Sequence, residues 1–197
     1  MNIKDPIDKK KRIIDAAIKL FSEKGYHGAT TALIAKEAGV SQGIIFHHFK
    51  NKEDLFFSLL KEKCNLFMVE FRKRVGNEQN ALKKIEIAVL IYVQLVRKEK
   101  KFFEMLIMQT TGSGLDLEKI NKYGMMEAFR IIGEIVKEGI QQGVIRKINP
   151  EVAATCIFGM LDYNVMNWLL FGKNFALEDT SKQVVDIFLR GIAKTTI

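Results

Sequence analysis

Proline occurs only twice in this chain of 197 residues, as Pro6 and Pro150, and that scarcity does most to limit the folds open to it. Strand-like alternation bounded by clusters of turn residues is hard to find. A nearly proline-free chain rich in Lys, Glu, Leu, Ile and Met favours helices instead. Hydrophobic residues make up 48% and charged residues 27%, enough for a core without the composition of a disordered or membrane protein. The fold expected is all-α, and the length suits a small N-terminal module with a larger companion.

The formal net charge of +8 raises the expectation of a polyanionic partner, because cationic side chains release counterions from phosphates on binding. Cys64 and Cys156 lie far apart in apolar helical stretches and lack the paired spacing of a zinc or redox site, so they read as small hydrophobes in a reduced, cytoplasmic compartment. No apolar segment follows the first charges, so no secretory signal is expected. The apolar stretch 88–96 is too short to span a bilayer, and 157–170 carries Asp162, Asn164 and Asn167. The expectation is a soluble protein with no membrane partner and no cofactor.

Helical spacing of Ile13, Ile14, Ala17, Ile18, Leu20 and Phe21 predicts a first helix, with Asp8 as its cap and Gly25 as its end. Thr30 and Thr31 open a short second helix with Leu33, Ile34 and Ala38 on its apolar face. It ends at Gly39, where a tight turn needs positive φ. Ser41 is placed to cap a third short helix through Phe46. A long helix then opens at Lys50 or Asn51 and runs to about Val75. Further helices are expected at 81–99, 102–110, 117–142, 150–171 and 180–194, with Asn149 capping Pro150 at a first helical position.

The informative stretch is Thr30 to Phe56, TTALIAKEAGVSQGIIFHHFKNKEDLF. Two short amphipathic helices joined through Ala38-Gly39-Val40 have helix-turn-helix geometry, with Ile34 and Val40 locking them together. Ser41, Gln42, Gly43 and Ile44 then fall in the first turn of the second of these helices, where a major-groove reader makes its base contacts. Gln42 can pair bidentately with adenine, and Gly43 lets the backbone approach closely.

This segment resembles the TetR family signature: a threonine pair, an alanine-glycine-valine turn, a serine, an aromatic-rich exit, and a lysine-glutamate start to a fourth helix. The resemblance covers about the first quarter of the chain. It implies an N-terminal three-helix helix-turn-helix domain, residues 1–51, plus a C-terminal helical bundle for effector binding and dimerisation, residues 52–197, with helix 52–75 linking the two. The DNA-contacting set it implies is Thr30, Thr31, Ser41, Gln42, Gly43, Ile44, Phe46, His47, His48 and Lys52. Thr31 matches a phosphate contact, Gln42, Gly43 and Ile44 face base edges or a thymine methyl, Phe46 and His47 lie against the backbone, and His48 stands in the exit turn. Lys52 would act on a phosphate together with the positive end of its helix. Two positions depart from the pattern. Phe46 stands where a tyrosine is common, which removes a phenolic hydrogen bond, and Ile44 replaces a polar residue.

Other readings of the same residues are weaker. His47 and His48 lack a Cys or carboxylate partner for a metal site. Ser41 is a cap rather than a nucleophile, since no orienting third group is in sight, and no enzyme is expected. Phe49 reads as core, whereas Lys9–Arg12 is either a solvated face or a strip lying along phosphates.

In the remainder, the candidate lining of an effector pocket is Tyr92, Phe103, Met105, Met108, Gln109, Tyr123, Met126, Phe129, Asn164 and Asn167, set against the alternative of ordinary bundle core. An acyl chain or aromatic compound is the expected effector. Helix 150–171 is apolar nearly all round, so two of its faces must be covered. One of them, through Phe158, Leu161, Val165 and Trp168 with Val185 and Phe188 of the last helix, is expected to meet a second copy across a two-fold axis. The function expected is a ligand-responsive transcriptional regulator, a repressor that a small apolar or part-apolar effector releases from a palindromic double-stranded DNA operator. The alternatives are a helical ligand-binding or protein-interaction module with a vestigial helix-turn-helix, and a non-specific nucleoid binder.

Overall fold

A computed structural model describes residues 6–110, 126–172 and 176–194, with side chains over 9–106, 127–172 and 176–194. The described residues form helices α1 (Pro6–Gly28), α2 (Thr31–Ala38), α3 (Gln42–His48), α4 (Lys52–Val75), α5 (Ala81–Lys98), α6 (Lys100–Thr110), α7 (Met126–Gln141), α8 (Pro150–Phe171) and α9 (Leu177–Ile192). The only extended pairing among them is an isolated antiparallel bridge between Ile145 and Ala193. The fold is all-α. Residues 117–125 of the expected 117–142 helix lie outside the described residues.

The chain divides into two compact units, Met1–Lys63 with Glu99–Gly124, and Cys64–Lys98 with Met125–Ile197. The first-unit boundary therefore lies beyond the expected residue 51 and also takes in α6. The reason is burial: Leu55, Phe56, Leu59 and Leu60 of α4 are wholly inaccessible within the core of the first unit, and Phe102 and Met105 of α6 join the same cluster.

That core is built on α1, whose Ile13, Ala17 and Phe21 are fully buried. Phe21 stacks on Tyr26 and meets Phe56 edge-on. Gly25 takes φ 70°, ψ 171°, outside helical values, and so ends the first helical run of α1 as its sequence implies, with a short second run continuing to Gly28. Thr30 caps α2, its Oγ1 accepting from the Leu33 N–H at 3.2 Å. At the other end Gly39 adopts φ 63°, and the Val40 N–H reaches back to the Ala35 carbonyl at 3.0 Å, which closes a Schellman motif. Asn51 caps α4 by accepting from the Asp54 N–H at 2.8 Å, while the Asp54 carboxylate accepts from the Lys50 N–H at 2.9 Å. Ser41 stands at the cap position of α3 but makes no side-chain capping bond.

In the second unit Asn149 caps α8, its Oδ1 accepting from the Glu151 and Val152 N–H groups, with Pro150 at the first helical position. α8 packs against α7 and α9, burying Ala154, Ile157, Phe158, Leu161 and Val165. The opposite face carries the exposed Val152, Met160 and Tyr163, with Ile187 similarly exposed on α9. α8 therefore has two apolar faces, as its sequence implies. Their assignment differs from expectation, however: Phe158, Leu161, Val165 and Phe188 are each at least nine-tenths buried within one chain, so they hold the bundle together and are unavailable to a partner. Trp168 and Val185 are half-buried.

Candidate nucleic-acid interface and effector cavity

In the first unit, the turn between α2 and α3 is held by a residue that the sequence left ambiguous. Arg12 of α1 donates from Nη2 to the carbonyls of Ala38 and Gly39, the latter at 3.1 Å. A guanidinium there satisfies acceptors left open at the end of a helix and complements its negative pole. Arg12 thus leaves the Lys9–Arg12 run and becomes a strut of the turn. A Cβ at Gly39 would push the Arg12 guanidinium aside, and the positive φ strains any other residue at this position. Lys19 of α1 adds an exposed ion pair to Glu37 of α2 at 2.6 Å.

On this scaffold Thr30, Ser41, Gln42, Gly43, Phe46 and His47 are exposed, and Thr31, Ile44, His48 and Lys52 are half-buried. Gln42 donates from Nε2 to Thr31 Oγ1 at 2.8 Å, linking the first residues of α3 and α2. Around Gly43 there is open space: a methyl group built there meets only Ser41 Oγ, at 3.9 Å. Ile44 turns partly inward and packs against the core, which reduces the surface it offers to a thymine methyl. Phe46 remains half exposed, and Phe49 is core. His47 and His48 meet edge to face, 5.2 Å between centroids. Partial burial, then His47, Lys10 and Lys9, hold the His48 imidazole below its ordinary value.

Lys52 does not stand free. Its Nζ donates to the Tyr26 carbonyl at 2.7 Å and lies 4.3 Å from the centroid of the Tyr26 ring. Burial lowers its pKa. At least one ammonium N–H is therefore committed inside the unit.

The second unit contains a narrow cavity of about 20 Å³, room for about one water molecule, with an entirely apolar surface. Phe67 of α4, Ala88 and Tyr92 of α5, Ala128 and Ile132 of α7, and Phe158 of α8 are among the residues that line it. Phe158 stacks on Phe129 at 4.3 Å and meets Tyr92 edge-on. Behind the Tyr92 ring, its hydroxyl donates to Asp162 Oδ1 at 2.6 Å. Burial drives the Tyr92 pKa well above its ordinary value, with the nearby carboxylate adding to the effect; burial also raises that of Asp162.

Of the expected pocket residues, Tyr92 lines this cavity and Phe129 buttresses it. Phe103 and Met105 belong to the core of the first unit instead. Asn164 bonds to the Met160 carbonyl of its own helix at 2.6 Å, and Asn167 does not line the cavity. Tyr123 and the side chains of Met108, Gln109 and Met126 lie outside the described residues. Sequence reasoning missed Phe67, Ala88, Ala128 and Asp162. Only Asp162 left a signal, as a carboxylate in the middle of a largely apolar helix.

A helix-turn-helix with its second helix outward, joined by a long helix to a separate bundle, defines a helical DNA-binding regulator. Residues 13–59 match the family described as bacterial regulatory proteins, tetR family, and residues 60–191 match the C-terminal region of YsiA-like proteins. The chain is 32% identical over 183 residues to the fatty acid metabolism regulator protein of Bacillus subtilis, covering 92% of this chain and 94% of that one. Among solved structures it is similar to the transcriptional regulator FadR from Bacillus subtilis in complex with stearoyl-CoA. That likeness has a TM-score of 0.85 at 32% identity and covers 92% and 98% of the two chains. It is also similar to the fatty acid degradation regulator FadR from Bacillus halodurans, with a TM-score of 0.84 at 30% identity over 92% and 98%. The chain belongs to the TetR family and is a ligand-responsive, DNA-binding transcriptional regulator.

Proposed function

We propose that the chain acts as a homodimeric repressor, without catalytic activity, that reads a palindromic operator with α3 and leaves it when a long-chain acyl thioester enters the second unit. The observation that carries the DNA half is Gly43. A glycine inside a helix costs roughly 0.5–1 kcal/mol relative to alanine. Nothing in the fold requires it, since the space around it is open. Together with its place in the first turn of α3, this openness suits a surface that approaches the backbone of α3 closely. Gln42 beside it supplies a donor and an acceptor suited to adenine, Thr31 and Lys52 supply phosphate contacts, and His47 and Phe46 complete the exposed surface.

The effector half rests on the cavity. No charged side chain lines it, so the part of a ligand that it takes is hydrocarbon. At about 20 Å³ it admits such a chain only if Phe67, Tyr92 and Phe158 move apart. A ligand that must open the bundle binds the opened state better, and that difference in affinity is what shifts the population. The relative in complex with stearoyl-CoA, 32% identical, points to the thioester class. The exposed face of α8 and α9, with Val152, Met160, Tyr163 and Ile187, is the surface for the second copy. The two copies of α3 would then stand about 34–36 Å apart, or a multiple of that.

The test is operator selection from random duplexes, followed by titration of the complex with stearoyl-CoA and, separately, with CoA alone. Release by the thioester and not by CoA is expected. An operator complex indifferent to saturating stearoyl-CoA removes the effector reading; no preference among duplexes removes the operator reading.

A further inference from the structure

We infer that Thr31 is a positioning residue for base recognition: by holding the Gln42 amide, it makes that side chain a reader of adenine that rejects guanine. The inference rests on Gln42 being a base reader and adds how its choice of base is fixed.

The two residues come from different helices and are eleven positions apart, joined by the Nε2–H to Oγ1 bond of 2.8 Å. A glutamine amide has two N–H donors and one carbonyl acceptor. With one N–H committed to Thr31, a single donor and a single acceptor remain. That pair matches adenine, which offers the N7 acceptor and the N6 donor in the major groove. It fails on guanine, whose N7 and O6 are both acceptors.

The direction of the bond is then set by DNA itself. A hydroxyl can donate once and can accept. A phosphate oxygen only accepts, so a Thr31 hydroxyl in contact with phosphate spends its proton there and turns only lone pairs toward Gln42. The amide must answer with its nitrogen, because its oxygen would face another oxygen. The phosphate contact and the base contact are therefore one chain, phosphate to Thr31 to Gln42 to base, and alignment on the backbone sets the amide orientation that reads sequence. Thr30 caps α2 through its own hydroxyl, so Thr31 is free of that duty.

The test uses full-length protein and the selected operator, with adenine replaced by guanine at the position whose discrimination Gln42→Ala abolishes. Wild type should prefer adenine by about tenfold or more. Thr31→Val should bind every duplex more weakly and also bring the adenine-to-guanine ratio close to one, whereas Thr31→Ser, which keeps the hydroxyl, should restore the ratio. Thermal unfolding of each variant separates these effects from loss of fold. Thr31→Val that lowers affinity evenly with the ratio intact overturns the inference, as does Thr31→Ser that fails to restore it. Gln42→Ala that changes discrimination at no position overturns the base-reading assignment itself, and the inference falls with it.

Discussion

The two units are both helical, yet they hold their working groups in opposite ways. The first turns short polar side chains outward from an eight-residue and a seven-residue helix braced at one glycine turn. The second turns its aromatic side chains inward, onto an apolar cavity with a part-buried polar pair, Tyr92 and Asp162, behind its wall. On the proposed function, the difference follows from what each would bind. Phosphates and base edges stand at fixed spacings and demand donors at fixed places. A hydrocarbon chain demands only volume, and volume can be supplied by any apolar residues that pack imperfectly.

The comparison breaks most visibly on α8. Leu161→Asp should place an unpaired carboxylate in the interior of the second unit, at a cost of at least about 3 kcal/mol. Circular dichroism should show that variant losing its cooperative unfolding transition. Tyr163→Asp, two residues along and 62% exposed, should unfold like the wild type yet sediment as a monomer. A folded Leu161→Asp protein, or a Tyr163→Asp protein that remains dimeric, contradicts this assignment of faces.

The corresponding break in the first unit is Gly39→Val. A β-branched residue at φ 63° is strained, typically by about 1–3 kcal/mol, and it also displaces Arg12 from the end of α2. Operator binding should be lost, while stearoyl-CoA binding by the second unit persists within about threefold, since a residue of the first unit plays no part in that cavity. Loss of both would mean that the units do not fold independently.

This contrast also explains how far the sequence could be read. Gly39, Thr30 and Asn149 announce helix ends because each does so through its own backbone or side chain. The exposed position of the candidate residues Gln42 and Gly43 at the start of α3 was legible for the same reason: their place after the turn glycine is fixed by local chain geometry. Arg12 was not legible, because whether a basic residue meets solvent, phosphate or a carbonyl 26 positions away is decided by tertiary packing. The cavity residues were hidden more deeply. Ala88 and Ala128 look like any helical alanine, and Met105, a good gap-filler by composition, is fully buried in the wrong unit for the part expected of it. The face of α8 was misassigned because an all-apolar helix states that two sides are covered without saying which side faces inward.

A smaller effect sharpens the inward side of the comparison. Burial raises the Asp162 pKa above its unfolded value, so the folded state holds that proton more tightly than the unfolded chain does. The stabilisation this provides is complete below the ordinary carboxylate range and is lost as pH rises through the folded pKa. Asp162→Asn keeps an acceptor for the Tyr92 hydroxyl and removes the titration. Urea midpoints should therefore show Asp162→Asn gaining on the wild type as pH rises from about 4 to 7. A constant difference across that range would mean that the carboxylate does not titrate from a buried site.

The smallest effect is the most discriminating, because its two parts have opposite signs. Gly43→Ala adds a methyl group where only Ser41 Oγ lies within 4 Å, at a helical position without positive φ. The folded protein should therefore be stabilised, by roughly 0.5–1 kcal/mol, through reduced backbone entropy in the unfolded chain and better helix propensity. Operator affinity should fall over the same substitution, since the methyl group occupies the space into which the DNA surface must come. Stability measured by urea and affinity measured by titration at fixed salt would then move apart in one variant. A residue that served the fold would lower both together, and one that served nothing would raise stability and leave affinity alone. Only a surface shaped for an external partner raises the first and lowers the second.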